Sequence, residues 1–443
     1  MRELIVIGGG LAGCEAAWQA ARHGVSVALY EMRPDRMTEA HRTGDLAEIV
    51  CSNSLRSKEI STGPGLLKEE LLRAGSLIME AAVASEVPAG SALAVDRTLF
   101  ARHIQNRVAG HPSIRIIREE IVVIPEQQSV IIATGPLTSA SLADAIGRLI
   151  GTKHLYFYDA IAPIIDAESI DRSVVFAASR YGKGSEDYLN CPMTEEEYNR
   201  FYDALMAADS VTAHAFENAK FFEGCMPIEV MARRGRATLC FGPLKPVGLA
   251  DPRTGRRPFA VVQLRAENLQ KTAFNLVGFQ TRIRQPEQKR VFRIIPGLQD
   301  AEFLRYGSIH RNTFINAPAH LQQTLSLKGR DSLFFAGQIT GVEGYIESAA
   351  MGLLAGIYAA RRMRGLPFVA APEQSAHGAL VAHLTEGNLK DFQPSNINFG
   401  LLLVDEKTRL IRDKKMKRRM MADSALSAWD EFCALIAADW GHA

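Results

Sequence analysis

The spacing of hydrophobic and polar residues changes period several times along the chain. Residues 3 to 31, ELIVIGGGLAGCEAAWQAARHGVSVALYE, open with an apolar strand from Leu4 to Ile7. A glycine turn follows, then an alanine-rich helix stopped at Gly24 and a second apolar strand closed by Glu31. SVIIATGP (129 to 136) is a buried-strand pattern ending in Ala133, Thr134 and Gly135. RDSLFFAGQITGVEGYIESAAMGLLAG (330 to 356) predicts a strand, a glycine-rich turn and a helix of small residues. In NCPMTEEEYNRFYDALM, Thr194 and Glu197 stand at capping-box spacing, so a helix is predicted to begin after Pro192. RATLCFGPL, FAVVQLRA and AFNLVGFQTRI read as short strands separated by turns such as DPRTGRRP, which predicts an antiparallel sheet. The segment from Glu406 to Met420 carries eight lysines and arginines against two acids, and an amphipathic helix is predicted after it, ending near Trp440.

The first of these segments has chemistry built into its spacing. Gly8, Gly10 and Gly13 form GxGxxG between strand and helix, with Glu31 eighteen residues after Gly13. Such a turn allows backbone to approach a pyrophosphate at a helix N-terminus, while the acid accepts hydrogen bonds from a ribose. Gly9, Leu11 and Ala12 complete the candidate loop. NAD and FAD would both satisfy this pattern, but the segments at Thr134 and Gly135 and at Gly337 and Gln338 resemble the second and third contact segments of two-dinucleotide-fold flavoproteins, which favours FAD. Gln338 stands where many such proteins have aspartate, so an amide or backbone group must serve the ribityl chain. The expected fold class is α/β: a Rossmann-like FAD-binding domain interrupted by an α+β insertion domain with an antiparallel sheet. The expected boundaries are 1–184 for the first part of the FAD domain, 185–325 for the insertion, and 326–443 for the second part with its basic helical end.

Composition narrows the function classes only slightly. Hydrophobic residues make up 47% and charged residues 23% of 443 positions, with a formal net charge of +2. Such values belong to a globular chain of two or three domains and argue against a surface coated with basic charge, though one local basic patch remains compatible. Six cysteines show no CxxC pair and no Cys/His spacing suited to zinc, so no metal site is expected. The N-terminus lacks a signal-peptide core, and no apolar run approaches the roughly 18 residues of a membrane span. A cytoplasmic location with reduced thiols is the expectation. Cys225, in FFEGCMPIEVMARRG, has two readings: a small packed hydrophobe, or a thiolate favoured by Arg233 and Arg234. The stretch alone leaves both open.

AEIVCSNSL (47 to 55), VPAGSALAVDR (87 to 97), YGKGSEDYLNCPM (181 to 193), FFEGCMPIEVMA, YGSIHRNTFINAP (306 to 318) and GQITGVEGYIESAAMG together resemble the folate- and FAD-dependent tRNA (uracil-5-)-methyltransferases (TrmFO) of bacteria. The resemblance covers essentially the whole chain. GQITGVEGYIESAAMG is shared in part with the larger GidA/MnmG flavoproteins, whereas CSNSL and GCMPIEVMA are specific to the methyltransferase. It implies methylation of the T-loop uridine (position 54) of tRNA at carbon 5. The one-carbon donor would be 5,10-methylenetetrahydrofolate, reduced FAD would carry the methylene and act as reductant, and NAD(P)H would supply electrons. Cys225 then matches the nucleophile that adds to carbon 6, and Cys51 a second cysteine near the flavin with an acid/base or covalent role. His310 and Tyr345 fall in motifs expected near flavin and folate. Arg282, Arg284 and the 407 to 419 cluster, Lys407 included, are candidates for tRNA phosphate or the folate glutamate tail. Base flipping is expected, because a stacked uracil hides both ring faces.

Three rival readings carry other consequences. A GidA-like modifier of wobble uridines would use the same cofactors on a longer chain. An NAD(P)H-dependent flavin oxidoreductase would need neither a basic tail nor a GCMP motif. A tRNA-binding protein that keeps flavin for stability would resist reduction. The sequence leaves monomer and dimer equally open.

Overall fold

The computed structural model describes residues 3–151, 155–182, 186–210, 226–387, 389 and 392–439, without the side chains of 155–160, 309–311 and 407. Cys225 therefore lies outside the described residues, as do the side chains of His310 and Lys407.

A six-stranded sheet organises the first unit. Across it run Ser326–Leu327, Arg330–Phe335, Val130–Ile132, Leu4–Ile7, Val27–Glu31 and Ile114–Arg118, all parallel except the short first strand. Leu4–Ile7 is buried along its whole length, as a central parallel strand covered on both faces must be. Each such side chain contributes about 2 kcal/mol of hydrophobic stabilisation. The helices Leu11–Arg22 and Tyr345–Met363 pack against each other closely. A Cβ at Gly352 would lie 2.3 Å from the carbonyl oxygen of Ala12, so the small residues of GLLAG serve helix contact. Residues 330 to 363 thus complete a sheet begun at residue 4, and the first unit is interrupted in sequence but continuous in space.

The second unit is built on an antiparallel sheet. Its order is Phe176–Ala177, Tyr188–Met193, Ala260–Ala266, Ala273–Leu276, Ile164–Asp166 and Phe303–Arg305. Two of these strands precede residue 185. The antiparallel ribbon of Leu155–Ile161 with Ser308–Phe314 lies at the passage between the two units. Ala260–Ala266 is buried at all seven positions, with Tyr198, Phe201, Leu205, Phe279 and Phe292 in the same core. The helix Glu195–Met206 starts as its capping box predicts: the Thr194 hydroxyl accepts from Glu197 N at 3.2 Å, and Glu197 Oε2 accepts from Thr194 N at 2.7 Å. Such a cap is worth about 1 kcal/mol.

Two of the expected strands are corrected. RATLCFGPL contains a short helix, Thr238–Phe241, in place of a strand. Gly235 and Gly242 bracket it, Leu239 is buried, and Arg236 lies 4.4 Å over the Tyr202 ring, so tertiary contacts override the local strand preference. AFNLVGFQTRI forms a strand only over Ala273–Leu276; the chain then turns at Gly278.

The C-terminal helix, Lys414–Ala438, begins within the basic run instead of after it. Asp413 caps it, accepting from Met416 N at 2.7 Å. Met421, Ala425, Leu426, Trp429, Phe432 and Ile436 form its buried stripe. Trp429 stacks on His377 at 4.0 Å and donates to the Glu70 carbonyl at 2.7 Å. Lys414, Lys415 and Arg419 face solvent. Among the described residues, no helix is long and apolar enough to cross a membrane.

Candidate active site

At the C-terminal ends of Leu4–Ile7, Val27–Glu31 and Val130–Ile132 a cleft is lined by Gly8, Gly10, Leu11, Ala12, Glu31, Thr134, Gly135, Gln338 and Tyr345, among others. The glycines divide the work as their spacing implies. Gly8 has φ +104°, and a Cβ there would lie 2.7 Å from the Ala133 carbonyl oxygen; a Cβ on Gly13 would lie 1.8 Å from that of Gly8. At Gly10 a Cβ would meet nothing within 4 Å, which leaves its backbone open to the cleft. Gly9 sits beneath the loop and donates its N–H to Glu31 Oε2 at 2.8 Å. Gly13 and Gly337 are packing positions at the loop's back; a Cβ at Gly337 would lie 2.6 Å from Ala12 Cβ.

Glu31 is held as an anion. Burial alone would raise its pKa, but hydrogen bonds and charge from Arg33, with Nε at 2.9 Å and N at 3.0 Å from Oε1, together with the Gly9 N–H, bring it below the usual glutamate value. These residues fit an adenine dinucleotide: an open glycine backbone at a helix N-terminus for pyrophosphate, and an ionised carboxylate for ribose.

The cleft continues into a second cavity through shared walls at Val50, Pro136, Leu137, Gln338 and Tyr345. Cys51 lines this second cavity with Ser52, Arg56, Arg265, Gln280, Asn312 and Glu347. Of the described cysteines it alone lines either space. Cys14 and Cys191 are fully buried, and burial pushes their thiols well above the usual range; it pushes Cys433 up to about 12.

The Cys51 loop is braced on three sides. Its N–H donates to the Tyr345 hydroxyl at 2.8 Å, and its carbonyl accepts from Arg97, which also bonds the Ile49 carbonyl and the Glu267 carboxylate. Arg265 donates to Ser52 Oγ at 2.7 Å and to Asn53 Oδ1 at 2.8 Å, and Asn53 donates onward to the carbonyls of Val95 and Ala266 at 3.0 Å each. Arg265 is buried in the antiparallel sheet, and burial lowers its pKa. The loop carrying Cys51 is in this way fastened to both units. A buried carboxyl stands behind it: Glu347, which burial raises above the usual glutamate pKa, pairs with Arg56 at 3.5 Å.

Gln280 connects the cavity to the region of Cys225. Its backbone carbonyl accepts from Ile228 N at 2.7 Å, and Glu229 accepts from Thr281 Oγ1 at 2.9 Å and Arg282 N at 3.0 Å. The chain immediately after residue 225 is therefore tied to the loop at the cavity wall. Arg282 and Arg284 do not line either space. Arg282 lies 3.6 Å from Glu229, and Arg284, exposed, pairs with Asp209 at 3.0 Å. His310 falls on the strand Ser308–Phe314, whose Asn312 reaches the cavity wall. Glu347 falls in GQITGVEGYIESAAMG and Arg97 closes VPAGSALAVDR, while Arg265 and Gln280 fall in runs read only as strands, but nothing in those strings marks any of the four for its place at the cavity.

A family model described as "Glucose inhibited division protein A" matches residues 3–367. The chain is 58% identical over 433 residues to the methylenetetrahydrofolate–tRNA-(uracil-5-)-methyltransferase TrmFO of Geobacter sulfurreducens, covering 97% of this chain and 99% of that protein. It is equally 58% identical to the protein of that name from Heliobacterium modesticaldum, over 97% of each chain. Among solved structures, Aquifex aeolicus GidA superposes with a TM-score of 0.69 at 18% identity, covering 99% of this chain and 75% of that one, which shows a common fold. The interrupted FAD-binding fold and the relatives matched along nearly its whole length agree: this chain belongs to the TrmFO family of methylenetetrahydrofolate–tRNA-(uracil-5-)-methyltransferases, within the wider GidA group.

Proposed function

We propose that this chain methylates the T-loop uridine at position 54 of tRNA on carbon 5, in the cytoplasm, with Cys225 as nucleophile and NAD(P)H as electron source. The observation that carries the reading is the continuity of the dinucleotide cleft with the Cys51 cavity, whose wall residue Gln280 also holds the chain three residues beyond Cys225. Gly8, Gly10, Glu31, Thr134, Gly135 and Gln338 are assigned to FAD. Bound FAD in its reduced form supplies the one-carbon carrier and the hydride.

The protein's own residues do the rest. Carbon 5 of uracil is a weak nucleophile, so the Cys225 thiolate adds to carbon 6 and the displaced electron pair moves onto O4 through the carbon 5 enolate. Carbon 5 takes up the one-carbon group. Removal of the carbon 5 proton would release the one-carbon group from its carrier as an exocyclic methylene, and hydride delivered to that methylene would expel the thiolate, leaving a methyl group and restoring Cys225. Cys51, in the cavity with its backbone fixed by Tyr345 and Arg97, is the candidate to accept that proton. Basic side chains of Lys414–Ala438 are assigned to tRNA phosphates. The wobble-uridine reading is set aside, because the relatives matched end to end carry the uracil-5 name.

Cys225→Ala is expected to retain flavin, visible in its absorption spectrum, and to lose methylation by at least about a thousandfold, the scale of losing a covalent nucleophile. Full methylation by that variant would overturn the nucleophile assignment.

A further inference from the structure

The wall of the Cys51 cavity contains an amide group whose hydrogen bonding is incomplete. Gln280 lines the cavity and is only partly buried, and among the described residues its carboxamide makes no hydrogen bond. A glutamine amide offers one acceptor and two donors, and here they face a cavity in which two neighbouring side chains are already committed. The neighbours are committed: Arg265 to Ser52 and Asn53, and Gln338 to Glu343 at 2.7 Å.

Its backbone is fixed as firmly as its side chain is uncommitted. Gly278 has φ +80°, and a Cβ there would lie 2.5 Å from Pro243 Cβ, so the turn before Gln280 admits little else. The Gln280 carbonyl is held by Ile228 N, and the next two residues are held by the Glu229 carboxylate. Glu229 is buried and its two partners leave it little freedom. A fixed backbone under an unpaired amide is the arrangement that orients a ligand at low entropic cost. Asn312 lines the same cavity, and its Nδ2 is buried with no partner among the described residues, a second donor there.

We propose that Gln280 reads the lactam edge, an N–H beside a C=O, of the planar heterocycle bound in the Cys51 cavity. Oε1 accepts from the ring N–H and Nε2 donates to the adjacent carbonyl. This rests on the function proposed above, in which two reactants carry such an edge: the target uracil and the pterin of the folate. With uracil, the Nε2 donor faces O4, where charge accumulates as a thiolate adds to carbon 6, so the contact strengthens during reaction.

The test uses the full-length flavin-loaded enzyme and the variants Gln280→Leu and Gln280→Glu, each first shown to keep its flavin spectrum and melting temperature. Two quantities are read: the methylation rate on tRNA carrying uridine against N3-methyluridine at the target, and the dissociation constant of tetrahydrofolate by flavin fluorescence. If the uracil is the ligand, wild type prefers uridine by at least about tenfold, Gln280→Leu loses kcat by about tenfold or more and loses most of that preference, and folate affinity is unchanged. If the pterin is the ligand, folate affinity falls about tenfold and the uridine preference persists. A Gln280→Leu enzyme with wild-type kcat, wild-type preference and wild-type folate affinity overturns the proposal. Failure of the underlying reading is distinguishable, since wild type itself would then leave uridine unmethylated.

Discussion

Lys68 is 4% exposed and donates to the Leu55 carbonyl at 2.7 Å, beneath the strand that borders the Cys51 cavity. Burial lowers its pKa from 10.5 to about 7, against a smaller opposing pull from Glu347. Between those two values the unfolded chain holds a proton that the folded chain has released. Stability should therefore rise with pH through that window, and the penalty is largest near and below pH 7. Lys68→Met removes the titrating group. Its stability relative to wild type, from denaturant unfolding, is expected to be more favourable at pH 7 than at pH 10 by about 2 kcal/mol or more. A difference that does not change with pH would mean that Lys68 stays charged when buried. This residue illustrates what one sequence hides. GxGxxG could be read because its glycines answer to local geometry, but Lys68, Arg97 and Gln280 acquire their roles from partners far away in the chain.

Elements were legible where the local signal and the packing agreed. The capping box at Thr194, the glycine stop at Gly24 and the strand ending at Glu31 are all local signals, and the structure follows them. RATLCFGPL failed because β-branched and aromatic residues fit a pleated surface only if one is offered, and Tyr202 with Arg236 offers a helical turn instead. The basic run was separated in sequence from the helix it starts, because charge hides an apolar stripe that begins only at Met421. That helix also permits a test at its own scale. Reversing the charge of Lys414, Lys415, Arg418 and Arg419 should weaken tRNA binding and reduce the slope of log affinity against log salt by roughly one for each phosphate no longer neutralised. An unchanged slope would make the exposed face an ordinary solvated one. Arg418 is partly buried 5.7 Å over the Phe399 ring, whereas Lys414, Lys415 and Arg419 are exposed and the Trp429 stack on His377 lies on the buried stripe, so the same reversal without Arg418 separates phosphate binding from docking of the helix.

At the scale of the molecule, two units with separate cores share a seam that includes the Cys51 loop. Arg97 reaches Glu267, Arg265 reaches Asn53, and Asn53 reaches Ala266, so residues 49 to 53 are held by the antiparallel unit as well as by the cofactor-binding one. The interruption of the FAD-binding fold was readable, because its third segment returns after residue 330 with its own strand, turn and small-residue helix. The seam was not, since nothing local distinguishes Asn53 or Arg265 from any polar residue. In the proposed reaction that seam brings a pyrimidine, a folate and a flavin to one cavity. The most direct measurement is mass spectrometry of unmodified tRNA after incubation with the enzyme, NADPH and methylenetetrahydrofolate labelled in its methylene carbon. The label is expected in 5-methyluridine at the T-loop position, in one equivalent per tRNA. Oxidation of NADPH with no label in the tRNA, or label at a wobble uridine, would contradict that assignment.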